Sequence, residues 1–127
     1  MTLWVSFEQQ GQVGFGTLEG DAIAVHSGDM FDRSQATGKK VARASVKLLT
    51  PCAPSKMICL WNNFNALAEK LNVAKPPEPL YFLKAPNAYL AHGEAIRRPP
   101  SFKGKIVYEG ELGIVIGKRC SNISEAA

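Results

Sequence analysis

The chain has 127 residues, 46% of them hydrophobic, and a formal net charge of +4. That length suits about one domain, with enough apolar material to bury a core. No apolar run approaches the roughly 20 residues that a membrane span needs, and Met1-Thr2-Leu3-Trp4-Val5 leads straight into structured sequence without the basic-then-apolar pattern of an export signal.

A cytoplasmic protein with no membrane partner is therefore expected. The three cysteines, Cys52, Cys59 and Cys120, make an odd number without metal-type spacing, which suits reduced thiols. Asn122-Ile123-Ser124 matches a glycosylation sequon, which without export reads as chance. Lys39, Lys40, Arg43 and Lys47 cluster, but no aromatic residues interleave them, so a solvated face is favoured and no nucleic-acid partner is expected.

Trp4 to Phe7, Val13 to Leu18 and Ala22 to His26 alternate at strand period, separated by the turns Gln9-Gln10-Gly11 and Glu19-Gly20-Asp21. This predicts an antiparallel meander of short strands. His26 at its end is given no role. Ser27-Gly28-Asp29 is expected to cap a short helical turn through Phe31, and Arg33 to Arg43 carries no clear pattern. The apolar stretch Val46 to Thr50, with Pro51 and Pro54 after it, reads as a linker to a second unit.

Met57 to Trp61 is a continuous apolar run, as in a strand covered on both faces. Asn62 and Asn63 can cap a helix. Phe64, Leu67, Ala68 and Leu71 then recur at helical spacing, with Asn72 placed to stop it, so a helix over residues 63–71 is predicted. Lys75-Pro76-Pro77-Glu78-Pro79 must be extended. Leu80 to Leu83 is a second buried-strand candidate, with Lys84 where it gives way to a loop. His92 lies in a turn and reads as loop decoration.

Val107 to Gly117 has the β-branched content and glycine stop of another strand. Strand alternation would set Glu109 and Glu111 on one face and Leu112, Ile114 and Ile116 on the other. Two carboxylates so placed repel unless water screens them or a cation sits between them. From these residues alone the solvated outer face of a sheet is the favoured reading, ahead of a cation site. Ser124-Glu125-Ala126-Ala127 looks like the start of a helix, and too few residues follow to sustain one, so the chain is expected to be the front part of a longer protein.

Taken together, four stretches resemble the fumarylacetoacetate hydrolase family. They are Leu48 to Cys59, the Pro77-Glu78-Pro79-Leu80-Tyr81-Phe82-Leu83-Lys84-Ala85-Pro86-Asn87-Ala88 segment, Tyr108-Glu109-Gly110-Glu111-Leu112 through Arg119, and Asn122-Ile123-Ser124-Glu125-Ala126. The early meander is similar to that family's small N-terminal domain. The resemblance implies a mostly β (α+β) fold: a small N-terminal β-meander domain over residues 1–50, then over 51–127 the front part of a mixed β-sandwich roll.

It also implies a Mg²⁺ (or Mn²⁺) held by Glu109 and Glu111 with a later aspartate beyond Ala127, a small oxo-acid substrate, and a homodimer. Lys84 would steady a substrate carboxylate or a developing oxyanion. The family's histidine and glutamate on the short helix are matched without gaps by Leu67 and Lys70, and no register supplies a histidine. Glu69 is then the base available. General-base catalysis is typically worth ~10²–10⁴-fold, so isomerase, tautomerase or decarboxylase chemistry in aromatic or oxo-acid catabolism is expected ahead of hydrolysis. The rival expectation is a catalytically degenerate chain that serves as a structural or pairing module.

Overall fold

The computed structural model describes residues 1–125. Five strands form one antiparallel sheet in the order β4-β3-β2-β1-β5, and two more form a separate antiparallel ribbon, β6-β7. The strands are β1 (Trp4–Gln9), β2 (Gln12–Glu19), β3 (Ala22–Gly28), β4 (Ser34–Ala42), β5 (Lys47–Leu48), β6 (Met57–Trp61) and β7 (Leu80–Lys84). The helix α1 spans Asn65–Leu71. The mostly β character expected from the sequence is what the structure has.

The meander follows from its turns and its glycines. Gln10 and Gly11 both take positive φ (53° and 78°) in the β1–β2 loop, the condition for the two-residue turn whose twist matches its strands. Phe7 and Ile23 are the buried hydrophobic side chains of the sheet, 4% and 0% exposed, and Gly16 is buried between them. Phe7 pairs with Gly14 across β1 and β2, and a Cβ on Gly14 would stand 2.8 Å from its ring. At Gly16 a Cβ would collide with the Ala24 carbonyl of β3 and with Ile23 Cγ2. Glycine is thus what lets the buried side chains lie across β2.

Residues 34–42, where the sequence shows no pattern, form the sheet's outermost strand. An edge strand with most side chains in solvent has little reason to alternate, and its Lys39 and Lys40 suit an edge that must not pair further. The register slips between Ala24 and His26, where Thr37, Gly38 and Lys39 bulge out of the ladder. Thr37 Oγ1 donates to the Val25 carbonyl at 2.8 Å, restoring a partner that the bulge removes.

On the opposite edge, Lys47–Leu48 pairs with Phe7 and Glu8 of β1. The Leu49 N–H donates to Ser6 O at 2.9 Å, and Ser6 Oγ donates to Pro51 O at 2.9 Å. The stretch read as a linker is therefore partly sheet.

Four local expectations are corrected. Ser27 to Phe31 is not helical: Asp29 Oδ1 accepts the Phe31 N–H at 2.8 Å and closes a turn instead. Helix α1 begins at Asn65 with Phe64 as its cap residue, and no side chain caps it. Asn62 donates instead to the Ala74 carbonyl at 3.1 Å. Its other end is as expected, since Asn72 is left-handed (φ 51°, ψ 42°) and the N–H groups of Asn72 and Val73 return to Glu69 O and Ala68 O.

Strands β6 and β7 form where expected but are not covered on both faces. Every residue of β7 is exposed. Residues 107–117 form no strand, because no ladder reaches them among the described residues, and a strand's backbone groups need a partner to hold the conformation. The helix start read at Ser124 lies partly outside the described residues.

Candidate functional site

Lys84 ends β7 opposite Met57 of β6. Phe82 lies two residues earlier on the same strand face, and Lys84 Nζ stands 5.8 Å from the centre of its ring. An exposed cation–π contact of this kind is worth ~0.5–1 kcal/mol. It restrains the ammonium near the strand end, where among the described residues its N–H donors meet no acceptor.

Glu69 sits on α1, which the buried Ala68 anchors. With Asn65, Asn72, Val73 and Lys75 it lines an open depression of about 410 Å³. Leu67 and Lys70 occupy the neighbouring positions of the helix, so its surface carries carboxylate, amide and ammonium groups but no imidazole.

Glu109 and Glu111 flank Gly110 in exposed, irregular chain. A Cβ on Gly110 would meet nothing within 4 Å among the described residues, so that side of the chain is open. Without a ladder, nothing compels both carboxylates onto one face. Among the described residues, no group of three histidine, cysteine, aspartate or glutamate side chains is gathered for a metal ion. The donor chemistry nevertheless suits a hard divalent cation, because Mg²⁺ is commonly held by one or two carboxylates and fills its remaining positions with water or substrate oxygens. The four residues singled out from the sequence thus stand on a strand end, a helix and an irregular segment. Of the four, only Glu69 lines the 410 Å³ depression.

Both histidines lie elsewhere. His26 packs edge-on against Trp4, ring centres 4.8 Å apart, with its Nδ1 buried and without a hydrogen-bond partner among the described residues. His92 lines a cleft of about 220 Å³ with Trp4, Ser6, Leu48, Pro51 and Leu90. No sequence signal marks this cleft, because its two walls come from distant stretches of chain. Glu94 fixes the outer wall: its Oε2 accepts the Ala91 N–H at 3.1 Å, and its Oε1 accepts from Lys47 Nζ at 2.8 Å. That ion pair lowers the Glu94 carboxyl below its ordinary pKa, first through the hydrogen bond from Lys47 and then through the one from Ala91. It raises the Lys47 ammonium, again chiefly through the hydrogen bond. Among the described residues no helix is long and apolar enough to cross a membrane.

Comparison with known proteins adds what the geometry leaves open. An uncharacterized protein of Archaeoglobus fulgidus is 39% identical over 119 residues, which is 94% of this chain and 44% of that protein. The oxaloacetate tautomerase fahd-1 of Caenorhabditis elegans is 36% identical over 72 residues, 57% of this chain and 33% of that protein. An uncharacterized protein of Mycobacterium abscessus has a solved structure that superposes with a TM-score of 0.65 at 27% identity, covering 80% of this chain and 40% of the other. The chain thus spans under half the length of these relatives. Residues 3–51 match the family described as Rv2993c-like, N-terminal. Because residues 56–127, more than half of the chain, match the fumarylacetoacetate (FAA) hydrolase C-terminal family, the chain belongs to the fumarylacetoacetate hydrolase family.

Proposed function

We propose that this chain provides the first metal-holding and substrate-holding groups of a divalent-metal-dependent enzyme acting on small oxo-acids. The observation that carries this reading is the Glu109-Gly110-Glu111 pair inside the family-matched segment. These two carboxylates would hold Mg²⁺ or Mn²⁺, and the ion when bound supplies a fixed positive charge that polarises a substrate oxygen. Lys84 pairs with the substrate carboxylate through its free ammonium donors. The Glu69 carboxylate accepts and returns a proton at the carbon beside the oxo group.

With no imidazole on α1 to activate water, keto–enol exchange or decarboxylation is favoured over hydrolysis. The relatives named as oxaloacetate tautomerases point to the same substrate class. The rival reading, a chain that only pairs with another polypeptide, draws on the absence of a three-residue metal cluster among the described residues.

Calorimetric titration of the 127-residue chain with Mn²⁺, in the presence of oxalate as an oxo-acid mimic, separates the two. The metal reading expects saturable binding that Glu109→Ala weakens at least tenfold. Absence of binding at millimolar Mn²⁺, or binding that ignores the substitution, favours the pairing module.

A further inference from the structure

The cleft beside Trp4 takes no part in the chemistry proposed above, yet its walls are held from several sides. One wall is the N-terminal sheet, through Trp4 and Ser6 of β1 and Leu48 of β5. The other is the segment after β7, through Leu90 and His92. The cleft thus lies between the two family-matched stretches, residues 3–51 and 56–127, and small-molecule sites favour such seams. Trp4 also packs near His26 and Phe15, ring centres 4.8 and 6.2 Å away, so neighbouring rings brace its indole.

The outer wall is preformed. The Glu94 N–H donates to Ala91 O at 3.2 Å, and Gly93 takes the φ of +80° that a type II turn needs at its third residue. His92 is the second residue of that turn. The Glu94 carboxylate accepts from the Ala91 N–H and from Lys47 Nζ, which ties the turn to the sheet. A site ordered in advance loses less affinity to the ordering of its side chains.

The lining decides what such a cleft can take. Ser6 Oγ donates to Pro51 O and Ser6 O accepts the Leu49 N–H, each at 2.9 Å, so these polar atoms already have partners. Trp4, Leu48 and Leu90 then offer mainly apolar surface, and an indole favours a flat aromatic guest. The volume of about 220 Å³ exceeds the roughly 150 Å³ of an apolar cavity that holds benzene, which leaves room for one small substituent. His92 and Thr50 supply an imidazole N–H and a hydroxyl as donors to that substituent. Each oxygen of the nearby Glu94 carboxylate already accepts an N–H, and the Lys47 ammonium balances its charge. The mouth therefore suits an anion.

We propose that this cleft is a binding site for a single-ring aromatic carboxylate. Its ring lies against Trp4, and its carboxylate accepts from His92 and Thr50. The inference stands apart from the metal reading, since Glu69, Lys84, Glu109 and Glu111 are not among the residues lining the cleft.

The test titrates the metal-free 127-residue chain with benzoate, in a Trp61→Phe background that leaves Trp4 as its one indole. A ligand of this size at ordinary efficiency binds with a Kd of roughly 0.1–1 mM. The expected result is a saturable change in Trp4 fluorescence in that range, with ¹⁵N amide shifts centred on residues 4–6, 48–50 and 90–93. His92→Ala should weaken binding about tenfold, as loss of a hydrogen bond to a charged group does. Leu90→Trp, which fills the cleft, should abolish the amide shifts. Amide protection in β1–β3 reports that both variants fold. Benzamide, with the same ring but no charge, should bind at least about fivefold more weakly. Absence of saturation by about 10 mM benzoate overturns the proposal. So do shifts centred on Tyr108 to Leu112, equal binding of benzamide, or binding indifferent to both cleft substitutions.

Discussion

Lys47 Nζ and Glu94 Oε1 stand 2.8 Å apart, joining the last strand of the N-terminal sheet to the segment that follows β7. Because Leu90 and His92 lie just before Glu94, this contact sets the outer wall of the cleft beside Trp4. Both side chains remain accessible to solvent, so the pair orients the segment more than it stabilises the fold.

The pH dependence of that contact has two limbs. The Glu94 carboxyl is lowered in the folded chain, so its contribution is present above the ordinary carboxylate value of about 4.3 and is lost as pH falls through the lower folded value. The Lys47 ammonium is raised, so its contribution is full below about 10.4 and disappears as pH rises through the higher folded value. Amide exchange at residues 90–94, corrected for intrinsic rates, should therefore show a protected plateau between these limits. Glu94→Gln should flatten the acid limb, and an unchanged acid limb in that variant would show the contact to be absent in solution.

Gly16→Val should destabilise the N-terminal sheet by about 3 kcal/mol, the upper end of the range for overpacking, because the added carbons meet the Ala24 backbone, which cannot move aside, as well as the buried Ile23 side chain. Gly113→Ala, where a Cβ meets nothing within 4 Å, should change stability by less than about 0.5 kcal/mol. Urea unfolding followed by Trp4 fluorescence compares the two, and similar midpoints would contradict the close approach of β2 to β3.

If Lys84 holds the substrate carboxylate, Lys84→Met should weaken oxalate binding to the Mn²⁺-loaded chain by about tenfold, the lower end of what a charge-assisted hydrogen bond contributes. Mn²⁺ affinity without oxalate should stay within about twofold, since the ammonium is not a metal ligand. Titrations with and without oxalate read the two effects separately. An equal loss in both would assign Lys84 to structure.

The elements legible in the sequence are those whose alternation reports burial. Phe7, Phe15 and Ile23 marked the first three strands, and the apolar runs at Met57 and Leu80 marked β6 and β7. Strand β4 was hidden because an edge strand exposes both its faces. The apolar runs predicted strands correctly but implied a coverage that the structure lacks, since composition shows what a strand can bury and not what is there to bury it. The same holds for Val107 to Gly117, whose β-branched residues favour a strand but cannot supply its hydrogen-bond partner. For the site, the Glu109–Glu111 spacing and Lys84 at a strand end were readable. The cleft formed by Trp4, Leu90 and His92 was not, because only folding joins residues so far apart in the chain.

As proposed, Glu109 and Glu111 together take a divalent cation. Paramagnetic broadening by substoichiometric Mn²⁺ in the ¹⁵N spectrum of the chain tests it residue by residue. Broadening should centre on Tyr108 to Leu112 and vanish in the Glu109→Ala, Glu111→Ala double variant. Broadening centred anywhere else, or unchanged by that double substitution, would show that the two carboxylates do not hold the ion.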